Sequence, residues 1–180
     1  MDILALIEAR GSYRGAYRDV PVPRAHLDAI LRAGCAAPSG CNKQTTSFIA
    51  VDDPALLDEL KAIVTPRIGE TAPAWILVLT RPIIAYRDRV FNVQDYSAAI
   101  ENMLLELVAL GYQSCWYEGH VTDADDLGGK LARRLGVPEE YRLVCVLPVG
   151  VAAEPVQRPG KQPVAARAWY NGFGKDDRHE

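Results

Sequence analysis

The run Trp75-Ile76-Leu77-Val78-Leu79 decides how the rest of this 180-residue chain is arranged. Successive side chains of a strand point to opposite faces, so an uninterrupted apolar run needs cover on both faces. Segments 48–51, 114–117 and 142–149 have the length and composition of further strands. We therefore predict a sheet in which 75–79 is a central strand.

Helical patterns between these strands supply the cover. The longest predicted helix, 95–110, is apolar around most of its circumference, which is typical of a helix that is central or shared with another subunit. Asp53 before Pro54 predicts the start of another helix, and Thr122 with Asp125 predicts a capping box at the start of a third. Because helices alternate with strands, we expect an α+β or α/β domain.

Composition narrows the class of protein and its partners. With 49% apolar residues, 24% charged residues and a net charge of −3, the chain resembles a soluble globular domain, with no nucleic-acid or membrane partner. No apolar run approaches the ~18 residues of a membrane span. The four cysteines lack C-x-x-C spacing, so we expect no metal site and free thiols in a reducing cytoplasm. The length suits one domain over 1–180.

The segment Ala37-Pro38-Ser39-Gly40-Cys41-Asn42-Lys43-Gln44 is a turn rich in hydrogen-bonding groups. Serine and asparagine have short side chains that tolerate turns, which leaves backbone groups free to pair with the edge of a ring. An ordinary loop after a helix that is ended by Pro38 would have the same composition. The residues alone therefore leave both interpretations open.

A second segment, Arg10-Gly11-Ser12-Tyr13-Arg14, places two guanidinium groups and a hydroxyl within five residues. Arginine offers forked donors and serine adds a short hydrogen bond, a combination that suits a phosphate group. A solvated loop after a helix is the alternative, because arginines are common there.

Together these segments resemble the FMN-dependent nitroreductase family, and the resemblance covers residues 3–165. It implies that the segment 10–14 holds the FMN phosphate and ribityl chain, through Arg10, Gly11, Ser12 and Arg14. It implies that the segment 37–44 reaches the flavin ring, commonly across a subunit interface, through Pro38, Ser39, Gly40, Asn42 and Gln44.

Two later segments extend the resemblance. Tyr117-Glu118-Gly119 matches a turn whose backbone N–H groups lie beside the flavin N5 and O4 atoms in relatives, and glycine permits close approach to a ligand. Arg158 and Lys161 correspond to a basic pair that holds the FMN phosphate. A plain strand-to-helix turn and two solvated tail charges remain the alternatives for these segments.

The resemblance implies a nitroreductase-like α+β fold, with a mixed, mostly antiparallel sheet flanked by helices. It implies a homodimer with FMN at the interface. We expect residues 151–180, which are broken by prolines and carry Trp169 and Tyr170, to form an extended tail packed on the partner subunit. The short connection 81–93 predicts an open pocket, with Phe91, Tyr86 and Arg87 beside it.

The implied chemistry is a ping-pong reaction in which NADH or NADPH gives a hydride to FMN, which then reduces a small-molecule acceptor such as a nitroaromatic or a quinone. No paired carboxylates accompany the motifs, so we assign no catalytic side chain; the cofactor carries the reaction. The sequence lacks Gly-x-Gly-x-x-Gly after a strand, a Gly-Lys-Ser/Thr phosphate loop and a Gly-x-Ser-x-Gly elbow. Flavin-dependent ring cleavage, dehalogenation or azole oxidation remains open on the same fold, as does a flavin-binding sensor or storage module.

Overall fold

A computed structural model describes residues 2–175, and its centre is an antiparallel sheet. The strands are β1 (Thr46–Val51), β2 (Ala74–Thr80), β3 (Ile84–Tyr86), β4 (Arg89–Val90) and β5 (Arg142–Val149). The sheet has the order β1-β2-β5, and β3 and β4 form a separate hairpin. Every residue of β2 is buried, so the predicted central strand is confirmed. All pairings between the described strands are antiparallel.

Helices cover both faces of this sheet. They are α1 (Ile3–Ala9), α2 (Arg24–Cys35), α3 (Pro54–Ile63), α4 (Asn92–Ala109) and α5 (Leu127–Arg134). The side chains of Ile76 and Val78 share one apolar core with residues of α2 and α4. Trp75 and Leu77 share a second core with residues of α3 and α5. The predicted α+β class is therefore confirmed, with cores on both faces of β2.

The first residues of three helices agree only in part with the predictions from sequence. Asp53 caps α3, because its Oδ1 accepts a hydrogen bond of 2.8 Å from the Leu56 N–H. Helix α4 begins at Asn92, so Asp95 lies in its first turn instead of at its start. The predicted capping box is wrong: the Thr122 hydroxyl donates to the Glu118 carbonyl, and α5 begins after Asp126, whose side chain makes no capping bond.

The predicted strand 114–117 is wrong as a continuous strand. Two isolated bridges form here, Gln113 with Gly150 and Tyr117 with Val146, and of these only the second joins the predicted segment to β5. The position midway between the bridges is opposite Pro148, which has no N–H to donate. The segment therefore runs beside β5 without a full ladder of hydrogen bonds.

The predicted tail divides into two parts. Residues 151–158 pack on residues 9–18 of the same chain, and the packing of residues 151–180 on a partner subunit stays a prediction. The Arg18 N–H donates to the Val151 carbonyl at 2.8 Å, and the Ala153 N–H donates to the Ala16 carbonyl at 2.9 Å. Most side chains of 159–175 are exposed, and residues 176–180 lie outside the described part.

Between residues 2 and 175, no helix combines the length and apolarity needed to cross a membrane.

Candidate functional site

The two basic segments predicted as a phosphate site meet in one place. They line a cavity of about 340 Å³ near the C-terminal end of α1. The predicted residues that line it are Arg10, Gly11, Ser12, Arg14, Arg158 and Lys161. We call this group the basic cradle. The chain therefore brings its N-terminal and C-terminal cations together around one concave surface.

Residues of the tail contact the basic cradle through a hydrogen bond and through close packing. The Arg158 Nε donates to the Ala9 carbonyl at 2.6 Å. A Cβ added to Gly11 would lie 3.2 Å from Val156 Cγ1 and 3.3 Å from Arg158 Cγ. Gly11 is thus placed for close approach of the tail, and its predicted role in binding FMN stays a prediction.

The charge of the basic cradle is strongly positive. Arg10 pairs with Glu101 of α4, with 3.1 Å between Arg10 Nε and Glu101 Oε1. Arg14 and Lys161 are exposed and make no ion pair with any residue of the described part. Glu8 is the carboxylate in the lining. Free cations beside a serine hydroxyl form a site suited to a phosphate group.

The predicted ring-binding turn is built on α4. Gly40–Asn42 form one turn of 3-10 helix. The buried Asp95 carboxylate accepts from the Gly40 N–H at 2.8 Å and from the Thr45 hydroxyl at 2.7 Å. The Ser39 hydroxyl oxygen accepts from the Gln44 N–H at 2.9 Å. These contacts give the segment one defined shape.

In this single chain the turn and the basic cradle line different cavities. Pro38, Ser39 and Gln44 border a cavity of about 80 Å³ that contains none of the cradle residues. Asn42 is exposed, and Gly40 packs against Phe91. In one chain, the two predicted groups of residues therefore border separate cavities.

The Glu118-Gly119 turn presents its backbone to open space. The Glu118 carboxylate points inward, where it accepts 2.6 Å hydrogen bonds from the Tyr96 hydroxyl and from the Trp116 indole N–H. Burial first, and the Glu118 carboxylate second, raise the pKa of Tyr96. A Cβ on Gly119 would meet no heavy atom within 4 Å, so a flat ligand has room to approach.

Tyr117 does not join this open surface. Its ring is buried, its hydroxyl donates to the Pro66 carbonyl at 3.1 Å, and its backbone N–H and C=O pair with Val146. The structure thus places Tyr117 in the core beneath the turn. Its predicted contact with FMN has no free hydrogen-bond donor to make it.

Several residues that organise these sites escaped sequence analysis. Asp95 is the clearest example. Its spacing in the sequence indicated burial, because it falls on the same face of α4 as the buried Ala99 and Met103. The side-chain oxygens of Gln113 and Ser114 are buried and have no hydrogen-bond partner among residues 2–175. The Ser114 carbonyl accepts from the Tyr13 N–H at 2.8 Å, so this unpaired polar pair adjoins the N-terminal basic segment.

The predicted pocket residues of the connection 81–93 separate into two groups. A Cβ on Gly40 would lie 2.7 Å from Phe91 Cδ2, so the Phe91 side chain packs against the predicted ring-binding turn. Tyr86 and Arg87 lie on the exposed β3–β4 hairpin, where the Arg87 guanidinium is 5.1 Å from the Tyr86 ring centre.

Across residues 2–175 there is no cluster of three or more metal-ligating side chains.

Known proteins resemble both the sequence and the fold. The chain matches the model described as Nitroreductase family over residues 7–73 and 64–151. It is 32% identical over 150 residues to an Archaeoglobus fulgidus protein named, provisionally, NADH dehydrogenase/NAD(P)H nitroreductase, covering 83% of this chain and 84% of that one. A Bacteroides fragilis nitroreductase with bound FMN superposes with a TM-score of 0.76 and 29% identity, covering 93% and 97%. A Clostridium difficile FMN-dependent nitroreductase gives 0.79 and 26%, covering 95% and 100%.

Proposed function

The chain belongs to the nitroreductase family, and on that premise we propose that it is an oxidoreductase that binds FMN and takes its hydride from NADH or NADPH. The observation that carries this proposal is the basic cradle, in which cations from both ends of the chain meet around one cavity of about 340 Å³. A cofactor with a terminal phosphate and a flat ring needs such a site together with an accessible backbone edge, and Gly119 supplies the edge.

The residues present fit FMN better than a larger flavin nucleotide. Arg14, Ser12, Lys161 and Arg158 would hold the phosphate through charge-assisted hydrogen bonds. No sequence motif offers a place for an adenosine half. FMN supplies hydride transfer when it is bound, from the nicotinamide to an acceptor such as a nitroaromatic or a quinone.

The protein's own part in this chemistry is positioning and electrostatics. The backbone at Glu118 and Gly119 would offer fixed dipoles toward the ring edge, where they favour negative charge. The Glu118 side chain is occupied by Tyr96 and Trp116, so it is not free to transfer a proton. Water in an open pocket would protonate the reduced acceptor.

We further propose that the working unit is a homodimer with FMN at the interface. The separation of the ring-binding turn from the basic cradle in one chain supports this, because a second subunit would supply the missing half. Helix α1 also buries none of its residues, and the side chains of Ile3 and Leu4 are 75% and 61% exposed. Exposed apolar groups on one helix are typical of a subunit contact. Residues 159–175 of the tail, which are mostly exposed, would lie on the partner.

A cytoplasmic location agrees with the cysteines. Cys35 and Cys41 are exposed free thiols, and Cys115 and Cys145 are buried free thiols. Exposed thiols persist in reducing compartments and are oxidised elsewhere. Fractionation of cells that produce the protein, with immunodetection in the soluble cytoplasmic fraction, tests this part of the proposal.

The cofactor and the reaction can be tested in two steps. Purified protein should show flavin absorption, and the cofactor released by heat should run as FMN on chromatography. Recovery of FAD, or of no flavin, would overturn the proposal. In the second step, anaerobic NADH and NADPH are added to the flavin-loaded protein. Rapid bleaching supports a reductase, whereas no bleaching indicates a sensor or storage module or one of the other reactions of this fold.

A further inference from the structure

We infer that Asp95 is a positioning residue that holds the ring-binding turn in the shape needed for FMN. This inference rests on the proposed function, because it assumes that the turn at 38–44 meets the flavin. Asp95 is 4% exposed, and both of its carboxylate oxygens are used. One accepts from the Gly40 N–H at 2.8 Å and the other accepts from the Thr45 hydroxyl at 2.7 Å. The side chain thus spans both ends of the turn.

The turn needs such a clamp because its backbone is unfavourable on its own. Cys41, Asn42 and Gln44 all have left-handed backbones, with φ of 49°, 52° and 48°. Residues with a Cβ avoid this region, and of these three only asparagine belongs to the types that are enriched there. Three such residues within four positions persist only where surrounding contacts over-determine the backbone.

A second contact fixes the same turn to the start of α4. Phe91 precedes the helix, and its Cδ2 atom lies 2.7 Å from the place a Gly40 Cβ would take. Asp95 belongs to the first helical turn, where a negative charge also interacts favourably with the helix dipole. The turn and the start of α4 therefore form one rigid unit.

Space is available for the turn to relax if the clamp is lost. The cavity of about 80 Å³ beside Asp95 is bordered by Ser39, Gln44 and Thr46. The Thr46 hydroxyl, also buried, has no partner in the described part of the chain. Removing the Asp95 acceptor would let the strained backbone move into this space and displace the groups that face the ring. The basic cradle lies elsewhere and would be unaffected.

The test compares Asp95→Asn and Thr45→Val with two matched controls. Thr45→Ser keeps the hydroxyl that Asp95 accepts. Asp53→Asn makes the same chemical change at a capping carboxylate at the far end of β1, where it accepts from the Leu56 N–H. FMN is removed and then titrated back into each apoprotein, with flavin fluorescence as the measure of affinity. The thermal midpoint of each apoprotein reports on the fold.

We expect Asp95→Asn and Thr45→Val each to weaken FMN binding by about tenfold or more, which is the loss of one hydrogen bond to a charged group. The double variant should bind little worse than Asp95→Asn, because both changes break one clamp. The visible band of the FMN that remains bound should shift or broaden, because the ring environment has changed. Thr45→Ser and Asp53→Asn should bind within about twofold of the parent.

Other outcomes overturn the inference in distinguishable ways. Unchanged affinity in both the Asp95→Asn and the Thr45→Val protein would show that the carboxylate does not position the site. Both results are needed, because the asparagine amide can still accept from the Gly40 N–H and donate to the Thr45 hydroxyl oxygen. If Asp95→Asn does not fold, Thr45→Val decides, since it removes only one of the two bonds. An equal loss in Thr45→Ser would assign the effect to packing and overturn the clamp. A parent protein that binds no FMN would overturn the proposed function and this inference with it.

Discussion

Glu118 illustrates how a charged residue at a proposed cofactor turn would serve through its backbone alone. Its carboxylate lies between Tyr96 and Trp116, at 2.6 Å from each donor, and is directed away from the open side of the turn. Gly119, the next residue, faces open space. The inward hydrogen bonds hold the turn, so the N–H groups that follow have a fixed direction.

This arrangement gives a prediction for Glu118→Gln. An amide has one acceptor oxygen where the carboxylate has two, so the Tyr96 hydroxyl must accept from the amide N–H instead of donating to a carboxylate. The unfolding free energy should fall by about 1 kcal/mol, the difference between a hydrogen bond to a charged group and a neutral one. The rate of flavin reduction by NAD(P)H should nevertheless stay within about tenfold of the parent. Stopped-flow reduction and thermal unfolding measure the two effects. A thousandfold loss of rate with FMN still bound would identify a catalytic side chain here.

A second residue-scale prediction concerns Arg14. Its guanidinium is exposed and free of ion pairs in the described part of the chain, so Arg14→Ala should leave the fold intact. FMN binding should weaken by about 1.5–3 kcal/mol, the contribution of a hydrogen bond to a charged group. Arg133→Ala is the matched control, because Arg133 is also exposed but pairs with Asp126. Equal flavin affinity in both variants would show that Arg14 is merely solvated.

The cysteines allow a third prediction at this scale. Cys35 and Cys41 are exposed and should react rapidly with a thiol reagent at pH 8. Cys115 and Cys145 are buried, and burial raises the pKa of Cys115 to about 11, so little reactive thiolate forms there. Two thiols per chain should therefore react in the native protein and four after unfolding. Four fast thiols in the native protein would contradict the burial of the inner pair.

At the scale of elements, sequence patterns predicted the buried apolar segments more accurately than the polar contacts between segments. The run 75–79 and the Asp53-Pro54 start were readable because burial on two faces and a capping carboxylate leave direct signatures. The break opposite Pro148 was missed because a strand's pairing depends on its neighbour's donors, which its own sequence does not contain. Asp95 shares a helix face with the buried Ala99 and Met103, so its burial could be predicted from their spacing. Its contact with the turn could not, because the turn lies 50 residues earlier in the chain and only the three-dimensional fold brings the two together.

The contact between the ring-binding turn and the start of α4 gives a prediction for Gly40→Ala. The added Cβ would meet the Phe91 side chain at 2.7–3.0 Å, so the turn or the ring must shift. Overpacking of this kind costs about 1–3 kcal/mol, and we expect a lower thermal midpoint together with weaker FMN binding. Adding Phe91→Ala should relieve the clash and recover part of the affinity. No recovery in the double variant would contradict the contact.

At the scale of the molecule, the exposed apolar face of α1 predicts assembly. Replacing Ile3 and Leu4 together by lysine should leave the chain folded, because neither side chain is buried within it. The variant should sediment as a monomer and lose FMN, since charge on an apolar contact opposes pairing. Val20→Lys, at another exposed apolar residue, is the control. A parent that is monomeric at micromolar concentration with full flavin content would rule the dimer out.

The route of the chain around the basic cradle also bears on when the site can exist. Residues 9–18 and 151–158 lie side by side although they are made at opposite ends of synthesis. Arg10 and Arg14 are therefore without their tail partner until Arg158 has been synthesised and has left the ribosome. A product that stops before Arg158 retains the sheet and its helices in sequence but lacks half of the cations around the cavity. Bound flavin would then mark chains that extend beyond Lys161, and products that stop before Arg158 would be recovered colourless.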